Sequence, residues 1–545
     1  MKIAVCIKQV PTVSKIEFDY QSKTIIREGV PLEMNVFDLI ALGRAVELKE
    51  ELGAEVTVVT MGPPQAKDAL AHALAVGADH AVLITDRLMA GSDTLATSRT
   101  LSLFLKDKGY DLILCGRNST DAETGQVGPE VAELLDIPHI SRARKLDYRP
   151  ATSSIVVERV TDDGYEVIEC SLPALVTASE GLSEERWPRR QAIAEARERP
   201  MEEVTAALLS SETAIFGADG SPTSVADIRL LEPQRLARVI EGSDPKEAAK
   251  QVAEGIKNRP TATSAPSNRR WSRYPGQKGK ALWVVAEKVG REFRWATMEN
   301  LGKARELAEE LKSEVVAVLT EGASTQDIET LASYGADSIL ALEGSDYLHP
   351  ISPLVAEALA DAVREENPYA VLVPSTANGR DLASRVAARL SLGLTGDCID
   401  LEIDDEGRLV QLKPALGGNV VAPILSKTRP YITTIRPGLL SPIEPQPGSS
   451  ATVEHFSLAS TKEDPIKVLE THREEDARGA QLERASVVLQ WGRASEGRSI
   501  CPLSTGWRSA WERRWLLPET SPTPAGCPSS FRWASRGGPS PPSYT

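Results

Sequence analysis

The sequence predicts an α/β protein made of two tandem domains, each a doubly wound parallel sheet with antiparallel strands appended. Two observations lead to this prediction. Short β-branched strands alternate with helices of about 10–15 residues, which is typical of parallel sheets covered on both faces. The first half of this pattern also recurs in the second half. A chain of 545 residues is, in addition, too long for one hydrophobic core.

The internal repeat is visible at three places in one register. The matching segments are 45–59 with 304–318, 77–79 with 335–337, and 110–116 with 369–375. The offset stays between 258 and 260 residues throughout. A single match could come from two amphipathic helices that happen to look alike, but three matches at one offset are hard to obtain by chance. Tandem related domains are therefore the better interpretation.

Each copy predicts the same order of elements. In the first copy we expect strands at 3–7, 56–60, 80–84 and 111–115 and helices at 38–52, 92–107 and 127–135. In the second copy we expect strands at 282–286, 315–320, 338–342 and 370–374 and helices at 297–312 and 352–366. Gly77 and Gly335 are placed to end a further helix in each copy. The β-rich segments 154–178 and 408–436 then predict the appended antiparallel strands.

The predicted domain boundaries follow the composition. Residues 1–257 form the first domain with a C-terminal arm, and 280–460 form the second. The segment 258–279 is rich in Pro, Ser and Arg and has no apolar period, so it is interpreted as a linker. The arm ends in a helix at 243–257 with Ser243 or Asp244 as its N-cap.

Composition excludes several function classes. A net charge of −15 disfavours nucleic-acid binding, which needs positive surface to displace phosphate counterions. The six cysteines are scattered without a CxxC pair, which favours a reducing compartment, and the six histidines show no metal-ligand spacing. No apolar stretch indicates secretion or a membrane span. We therefore expect a cytoplasmic protein.

The most specific candidate site is the loop 116–129, which follows a predicted strand and leads into a predicted helix. Ligands of open parallel sheets bind at the carboxyl ends of strands, and a helix N-terminus suits phosphate. Gly125 and Gly128 allow backbone to approach an anion, and nearby polar side chains can add hydrogen bonds. The alternative is a polar loop that only caps a helix. Spacing leaves both open, because the loop is neither a Walker loop nor GxGxxG.

The corresponding loop of the second copy, 375–381, lacks the paired glycines. We therefore expect one nucleotide in the first repeat and none in the second. Three residues outside the loop have two interpretations each. Asp38 is a ligand contact or only an N-cap, Met61 lines a ligand or turns the chain, and Cys115 is a core residue rather than a nucleophile because no His lies near it in sequence.

The motifs at these positions resemble a known family. Segments 1–11 (MKIAVCIKQVP), 34–38 (MNVFD), 60–63 (TMGP) and 116–135 (GRNSTDAETGQVGPEVAELL) resemble the β subunit of electron-transfer flavoproteins. Segments 282–290 (LWVVAEKVG), 375–390 (STANGRDLASRVAARL), 413–424 (KPALGGNVVAPI) and 433–438 (TTIRPG) resemble the N-terminal domain of the α subunit. The resemblance covers about 1–257 and 280–490. It implies β and α subunits fused in one chain, each half with a Rossmann-like fold of the adenine nucleotide alpha hydrolase type.

The resemblance also implies a cofactor site in the β-type half. The residues it assigns are Cys6, Asn35, Val36, Phe37, Asp38, Met61, Gly116, Asn118, Ser119, Thr120, Asp121, Thr124, Gly125, Gln126, Val127 and Gly128. Many members hold AMP at this site, and the electron-bifurcating branch holds FAD. The string 121–129 is more similar to the FAD-binding branch, but both ligands stay open.

The implied function is that of an electron carrier rather than a classical enzyme, with an electron-bifurcating component as one variant. Family members take electrons from flavin dehydrogenases and pass them to a quinone oxidoreductase or a similar acceptor. The family docks partners through a loop that corresponds to 183–196, where Arg190 replaces an expected leucine. The alternative function is a non-redox adenine-nucleotide-binding protein on the same tandem fold.

The tail departs from the family. Residues 461–490 begin the α-type FAD domain, and 482–489 would be its opening strand, followed by Gly492 and by Arg493 over the flavin. Residues 491–545 contain five of the nine tryptophans and no Val, Lys or Asp, a composition unsuited to strands. We expect disorder or a frameshift near residue 490, with a Trp-rich partner-binding tail as the alternative. Either way, we expect the α-type FAD site to be incomplete.

Overall fold

A computed structural model describes most of the chain. The described residues are 1–12, 17–19, 24–26, 30–230, 240–241, 244–258, 271–276, 278–320, 322–343, 349–415, 420–457, 463–474 and 530–531. Contacts divide the chain into two units, one with residues 1–231 and 266–475 and one with residues 232–265 and 476–545. The larger unit contains both copies of the repeat.

The secondary-structure elements are numbered here in chain order. The helices are α1 (Val36–Leu52), α2 (Lys67–Val76), α3 (Thr94–Leu105), α4 (Val127–Leu134), α5 (Arg190–Arg197), α6 (Ala206–Leu209), α7 (Gly217–Gly220), α8 (Pro245–Lys257), α9 (Trp295–Leu311), α10 (Thr325–Ser333), α11 (Pro353–Glu366) and α12 (Ala377–Leu390). The strands are β1 (Lys2–Cys6), β2 (Gln9–Pro11), β3 (Glu17–Asp19), β4 (Thr24–Ile26), β5 (Leu32–Met34), β6 (Glu55–Met61), β7 (His80–Ile84), β8 (Leu112–Gly116), β9 (His139–Arg149), β10 (Ser154–Thr161), β11 (Gly164–Ser171), β12 (Ala174–Ala178), β13 (Glu202–Val204), β14 (Thr223–Val225), β15 (Arg229–Leu230), β16 (Ile240–Glu241), β17 (Leu282–Ala286), β18 (Lys288–Val289), β19 (Glu292–Phe293), β20 (Val315–Leu319), β21 (Ser338–Glu343), β22 (Ala370–Pro374), β23 (Leu394–Cys398), β24 (Asp400–Ile403), β25 (Leu409–Ala415), β26 (Val420–Ser426), β27 (Tyr431–Ile435), β28 (Thr452–Ser457), β29 (Ile466–Arg473) and β30 (Ser530–Phe531).

The two copies form sheets of the same topology. The first sheet has the order β13-β7-β6-β1-β8-β12-β9-β10-β11-β29, and its strands from β13 to β9 are parallel. The second sheet has the order β23-β27-β22-β17-β20-β21-β28 and is parallel throughout. Equivalent strands occupy equivalent places from β7 to β9 and from β21 to β23. The predicted tandem α/β fold with parallel sheets is therefore confirmed.

The central strands form because their residues are apolar on both faces. All five residues of β17 are buried, and in β1 only Lys2 is exposed. Such continuous apolar runs suit a parallel sheet with helices on both sides. Gly77 ends α2 with φ 142°, and Gly335, with φ 101°, follows the end of α10, as predicted. Asp244, not Ser243, is the N-cap of α8, since its carboxylate accepts the N–H of Lys246.

The prediction that 154–178 and 408–436 form only appended antiparallel strands is wrong in part. β10 and β11 are antiparallel, but β12 lies inside the first sheet between β8 and β9, parallel to both. Likewise β27 lies inside the second sheet, beside β22. The reason is that strand order is set by long-range pairing. In the first copy the chain adds β10 and β11 antiparallel at the edge of the same sheet before β12 returns to an interior position, whereas in the second copy β24 to β26 form a separate antiparallel sheet before β27 returns.

Each half of the larger unit contributes strands to the other. β29, which follows the second copy, pairs with β11 at the edge of the first sheet. In return, β14 and β15 of the first half pair with β26, which also pairs with β25 in a separate antiparallel sheet. Residues 271–276, at the end of the predicted linker, are anchored on the second copy: Gly276 donates its N–H to Glu314 at 2.9 Å. None of the helices in the described ranges is long and apolar enough to cross a bilayer.

Candidate functional site

The predicted site residues meet at the topological switch point of the first sheet, the place where the chain changes direction between β1 and β8. Cys6 and Cys115 are paired in register at the carboxyl ends of these two strands. The chain leaves β8 through the loop 117–126 into α4, and α1 begins beside the same edge. This is the position at which open α/β sheets bind ligands.

Asn35 connects the start of α1 to the loop. Its side chain is 1% exposed, its Nδ2 donates to the carbonyl of Asn118 at 2.9 Å, and its Oδ1 accepts the N–H of Thr120 at 3.2 Å. Asn35 is the N-cap residue of α1, although its side chain does not cap the helix. Its amide is used instead to fix the loop backbone.

The interpretation of Asp38 as the N-cap of α1 is wrong, because Asp38 lies inside the first turn and is buried. Its carboxylate accepts the N–H of Lys8 and the N–H of Gly116, both at 2.8 Å. Burial raises the pKa of Asp38 to about 7, against the opposing effect of these two N–H donors. Asp38 thus connects the ends of β1 and β8 to α1.

The two cysteines at the site are buried neutral thiols. Burial, with a smaller contribution from Asp38, raises the pKa of Cys6 to about 12. Burial also raises the pKa of Cys115 well above its ordinary value. A buried thiol of this kind is a poor nucleophile. The prediction that Cys115 is a core residue is confirmed by its burial.

Two glycines at the site are required by close packing. A Cβ on Gly116 would lie 2.5 Å from Oδ1 of Asp38, and a Cβ on Gly128 would lie 2.6 Å from Cγ2 of Thr177. Gly125 has φ 64°, a left-handed conformation that favours glycine. The structure therefore gives Gly128 a packing role, letting α4 start directly against β12, beside the predicted role in anion approach.

The loop before α4 is held by charges from both sides. Lys8 Nζ lies 2.7 Å from Asp121 Oδ2 and 3.4 Å from the Ser119 hydroxyl. The Arg117 guanidinium lies 4.3 Å from the centre of the Phe37 ring. Lys8 was not among the predicted site residues, since a single basic residue after a strand has no distinguishing pattern.

The N-terminus of α4 has no side-chain cap within the described part of the chain. Its N-cap residue, Gln126, is 2% exposed and turns its amide away, donating to the carbonyl of Leu394 at 3.3 Å. The first backbone N–H groups of a helix have no intrahelical partner and carry partial positive charge, so they suit a phosphate. In α4 these groups are the N–H of Val127 and the N–H of Gly128, because Pro129 has no N–H and Glu130 donates to the carbonyl of Gln126 at 3.0 Å.

The acid in the first turn of α4 does not oppose an anion. Glu130 is 1% exposed and accepts the hydroxyls of Thr94 and Ser98 at 3.1 and 2.7 Å. Burial raises its pKa to about 8, so the neutral form is favoured near neutral pH. This residue, too, was missed, because its partners lie on α3, more than thirty residues away.

Asn118 supplies a further group without a partner. Its Oδ1 is buried, and in the described structure it accepts no hydrogen bond. A buried acceptor of this kind normally has a partner, and its position in the loop suits a donor on a bound ligand. An uncapped helix N-terminus, preceded by a loop that carries an acceptor without a partner, fits a molecule with a phosphate and an N–H or O–H donor, as in an adenine nucleotide.

The equivalent place in the second copy is filled by the protein. Thr376 caps α12 by accepting the N–H of Gly379 at 2.9 Å. Asp162 of the first half accepts the N–H of Ala377 at 2.7 Å. The start of α12 is thus already bound to a carboxylate and a hydroxyl, which supports the prediction of no nucleotide in the second repeat.

The remaining predicted residues are described by their packing and their position in the chain. Met61 at the end of β6 and Val127 at the start of α4 pack against the apolar cluster that contains both cysteines. Val36 packs against the cluster on the opposite face of the sheet. Thr124 lies in the loop, between two residues of positive φ. Arg493 and the segment 482–489 lie outside the described residues.

The fold and this site define a class: a tandem α/β protein with a nucleotide-type site at the switch point of its first sheet. Comparison with known proteins gives the family. The profile of the electron transfer flavoprotein domain matches residues 22–209 and 282–461. The chain belongs to the electron transfer flavoprotein family, and its function is electron transfer, as the sequence predicted.

Curated relatives match over about half of the chain. The chain is 41% identical over 260 residues to the electron transfer flavoprotein subunit beta of Thermoanaerobacterium thermosaccharolyticum, covering 48% of this chain and 99% of the relative. It is 40% identical over 262 residues to protein FixA of Azotobacter vinelandii, covering 46% of this chain and 92% of the relative. It is 38% identical over 263 residues to the caffeyl-CoA reductase-Etf complex subunit CarD of Acetobacterium woodii, covering 48% of this chain and 99% of the relative. About half of the chain therefore corresponds to nearly the whole length of an electron transfer flavoprotein subunit beta, whereas the family profile matches the chain twice.

Proposed function

We propose that the chain is a β/α fusion that carries electrons and binds an adenine nucleotide, FAD or AMP, at the loop 116–128. The observation that carries this proposal is the uncapped N-terminus of α4 together with the unpartnered Oδ1 of Asn118 in the loop that leads into it. In this arrangement a phosphate is held by the first N–H groups of α4, and a donor on the ligand reaches Asn118.

The residues around the nucleotide have positioning roles. Asn35 fixes the loop backbone through Asn118 and Thr120, and Asp38 fixes the ends of the two strands. Bound FAD would supply the redox chemistry, whereas AMP would be a structural ligand. The similarity of 121–129 to the bifurcating branch favours FAD, and the relative CarD belongs by name to a caffeyl-CoA reductase complex.

The electron partners follow from the family resemblance. We propose flavin dehydrogenases as donors and a quinone oxidoreductase or a similar carrier as acceptor, in the cytoplasm. We assign no α-type FAD to this chain, because the residues that would hold it, Arg493 among them, lie outside the described residues.

Extraction of the bound nucleotide tests the proposal. The purified chain is denatured, and the supernatant is separated by chromatography against AMP, FAD and FMN standards, after a visible spectrum of the native protein. We expect an adenine nucleotide in an amount close to that of the chain. A flavin spectrum with FAD in the extract supports the redox role, whereas a colourless protein with AMP supports the alternative, a non-redox nucleotide-binding protein.

Absence of any nucleotide needs a second measurement. The chain is then titrated with AMP and with FAD by calorimetry. Failure to bind either ligand would overturn the site and leave only the family membership.

A further inference from the structure

Arg380 of the second half reaches across to the loop of the first half. It lies in the first turn of α12, and its Nη1 donates to the carbonyl of Glu123 at 3.4 Å. Its Cδ lies 4.0 Å from the place a Cβ on Gly125 would take. The side chain therefore covers the backbone that leads into α4.

The guanidinium of Arg380 is held in place by its own half. Its Nη2 donates to Oδ1 of Asp397 at 2.7 Å, and its Nε donates to the carbonyl of Ser375 at 3.2 Å. Burial raises the pKa of Asp397, but Arg380 and Arg436 outweigh this effect and lower that pKa to about 2. Asp397 is thus charged at all ordinary pH values, and Arg380 is anchored by a permanent carboxylate.

The loop segment that Arg380 touches needs such support. Glu123 has φ 50° and Gly125 has φ 64°, so two residues of a four-residue segment are left-handed. A non-glycine residue in this region is strained and persists only where its surroundings hold it. The carbonyl of Glu123 is held by Arg380, and Gln126 at the other end is held by the carbonyl of Leu394.

Glycine at position 396 permits the close approach of the loop at this second contact. The Nε2 of Gln126 lies 2.8 Å from the place a Cβ on Gly396 would take, and the carbonyl oxygen of Thr124 lies 3.4 Å from it. Both ends of the segment 123–126 are therefore bound to the second half. This segment sets the direction of the first N–H groups of α4.

We propose that Arg380 is a positioning residue for the nucleotide of the first half: it shapes the loop 123–126 and adds positive charge beside the phosphate of an adenine nucleotide. This inference rests on the proposed function, and it makes the second half a working part of the β-type site. The ligand chemistry it concerns is the phosphate, not the adenosine moiety, because Arg380 contacts the segment that enters α4.

The test compares AMP with adenosine. Wild-type chain and Arg380→Ala, both full length and stripped of nucleotide, are titrated with each ligand by calorimetry. Loss of a hydrogen bond that involves a charged group, such as the one from the Arg380 guanidinium to the carbonyl of Glu123, typically changes an equilibrium constant by about ten- to a hundredfold. We expect Arg380→Ala to weaken AMP binding by this amount and to reduce its salt dependence, while adenosine binding changes less than about twofold.

Two further variants separate positioning from folding. Arg380→Lys retains the charge and should recover part of the AMP affinity, even if Arg380→Ala folds poorly. Arg408→Ala removes an exposed arginine of the same half that pairs with Asp404 and Glu406, and it should leave both ligands unaffected. The inference is overturned if Arg380→Ala binds AMP like wild type, or if AMP and adenosine weaken equally. Failure of the wild-type chain to bind AMP and FAD would overturn the proposed function as well.

Discussion

Replacement of Gly128 by alanine tests the packing that starts α4. The new methyl group would lie 2.6 Å from Cγ2 of Thr177 and 3.3 Å from Sγ of Cys115. The first distance is about 1 Å shorter than an ordinary carbon–carbon contact. Relief of such overpacking costs about 1–3 kcal/mol. Because α4 carries the N–H groups of the site, its displacement should also weaken nucleotide binding.

The sign of the change in the free energy of unfolding is informative, since alanine has a higher helix propensity than glycine. Without a steric conflict, Gly→Ala within a helix stabilises it by about 0.5–1 kcal/mol. We therefore expect Gly128→Ala to lower the free energy of unfolding by a net amount of about 0.5–2 kcal/mol. Urea denaturation followed by tryptophan fluorescence measures this value.

A double variant identifies the source of the conflict. Thr177→Ser removes Cγ2 but keeps the hydroxyl that accepts the N–H of Arg142 at 3.0 Å. The pair Gly128→Ala and Thr177→Ser should recover part of the loss, giving a favourable coupling energy. Gly279→Ala is the control, because its methyl group would meet nothing within 4 Å. A Gly128→Ala variant as stable as wild type, or without coupling to Thr177, would show that position 128 has no steric conflict with Thr177.

Two further predictions concern buried charges. Burial raises the pKa of Glu130 from 4.5 to about 8, so the folded protein binds the proton of this carboxyl more tightly than the unfolded chain does. The protonated carboxyl therefore stabilises the fold fully below about pH 4.5, and this stabilisation is lost as the pH rises to about 8. Glu130→Gln should remove that part of the pH dependence, as measured by urea unfolding between about pH 5 and pH 8; an unchanged profile would contradict the assignment. Arg385, 1% exposed, pairs with Glu133 of the first half and with Asp381. Arg385→Ala should lower the free energy of unfolding by about 3–5 kcal/mol, against no change for Arg408→Ala, and an equal effect of both would argue against a buried pair.

The parts of the fold that depend on local pattern could be predicted from the sequence. The strands 282–286 and 80–84 were placed correctly, because a run of buried apolar residues between turn signals is a local property. The position of β12 could not be predicted in this way. Its five residues look like any buried strand, and only pairing with β8 and β9 places it inside the sheet.

The candidate site, too, combines features that a local sequence pattern predicts with features that depend on long-range contacts. The open loop and its glycines have a local pattern, and they do lie at the end of β8 as expected. The contacts that shape the loop are long-range: Lys8 meets Asp121 over 113 positions, and Gln126 meets Leu394 over 268. An Asp near the start of a helix favours interpretation as an N-cap. The carboxylate of Asp38 instead accepts backbone N–H groups of Lys8 and Gly116, at the ends of two strands. No local signal distinguishes these roles.

A crystal structure of the full chain grown with AMP, and in parallel with FAD, shows whether the start of α4 binds a phosphate. We expect phosphate density within hydrogen-bonding distance of the backbone N–H groups that begin α4, with a ligand donor at Oδ1 of Asn118. Density for the nucleotide at another place, or a start of α4 whose N–H groups face only solvent, would overturn the proposed nucleotide site.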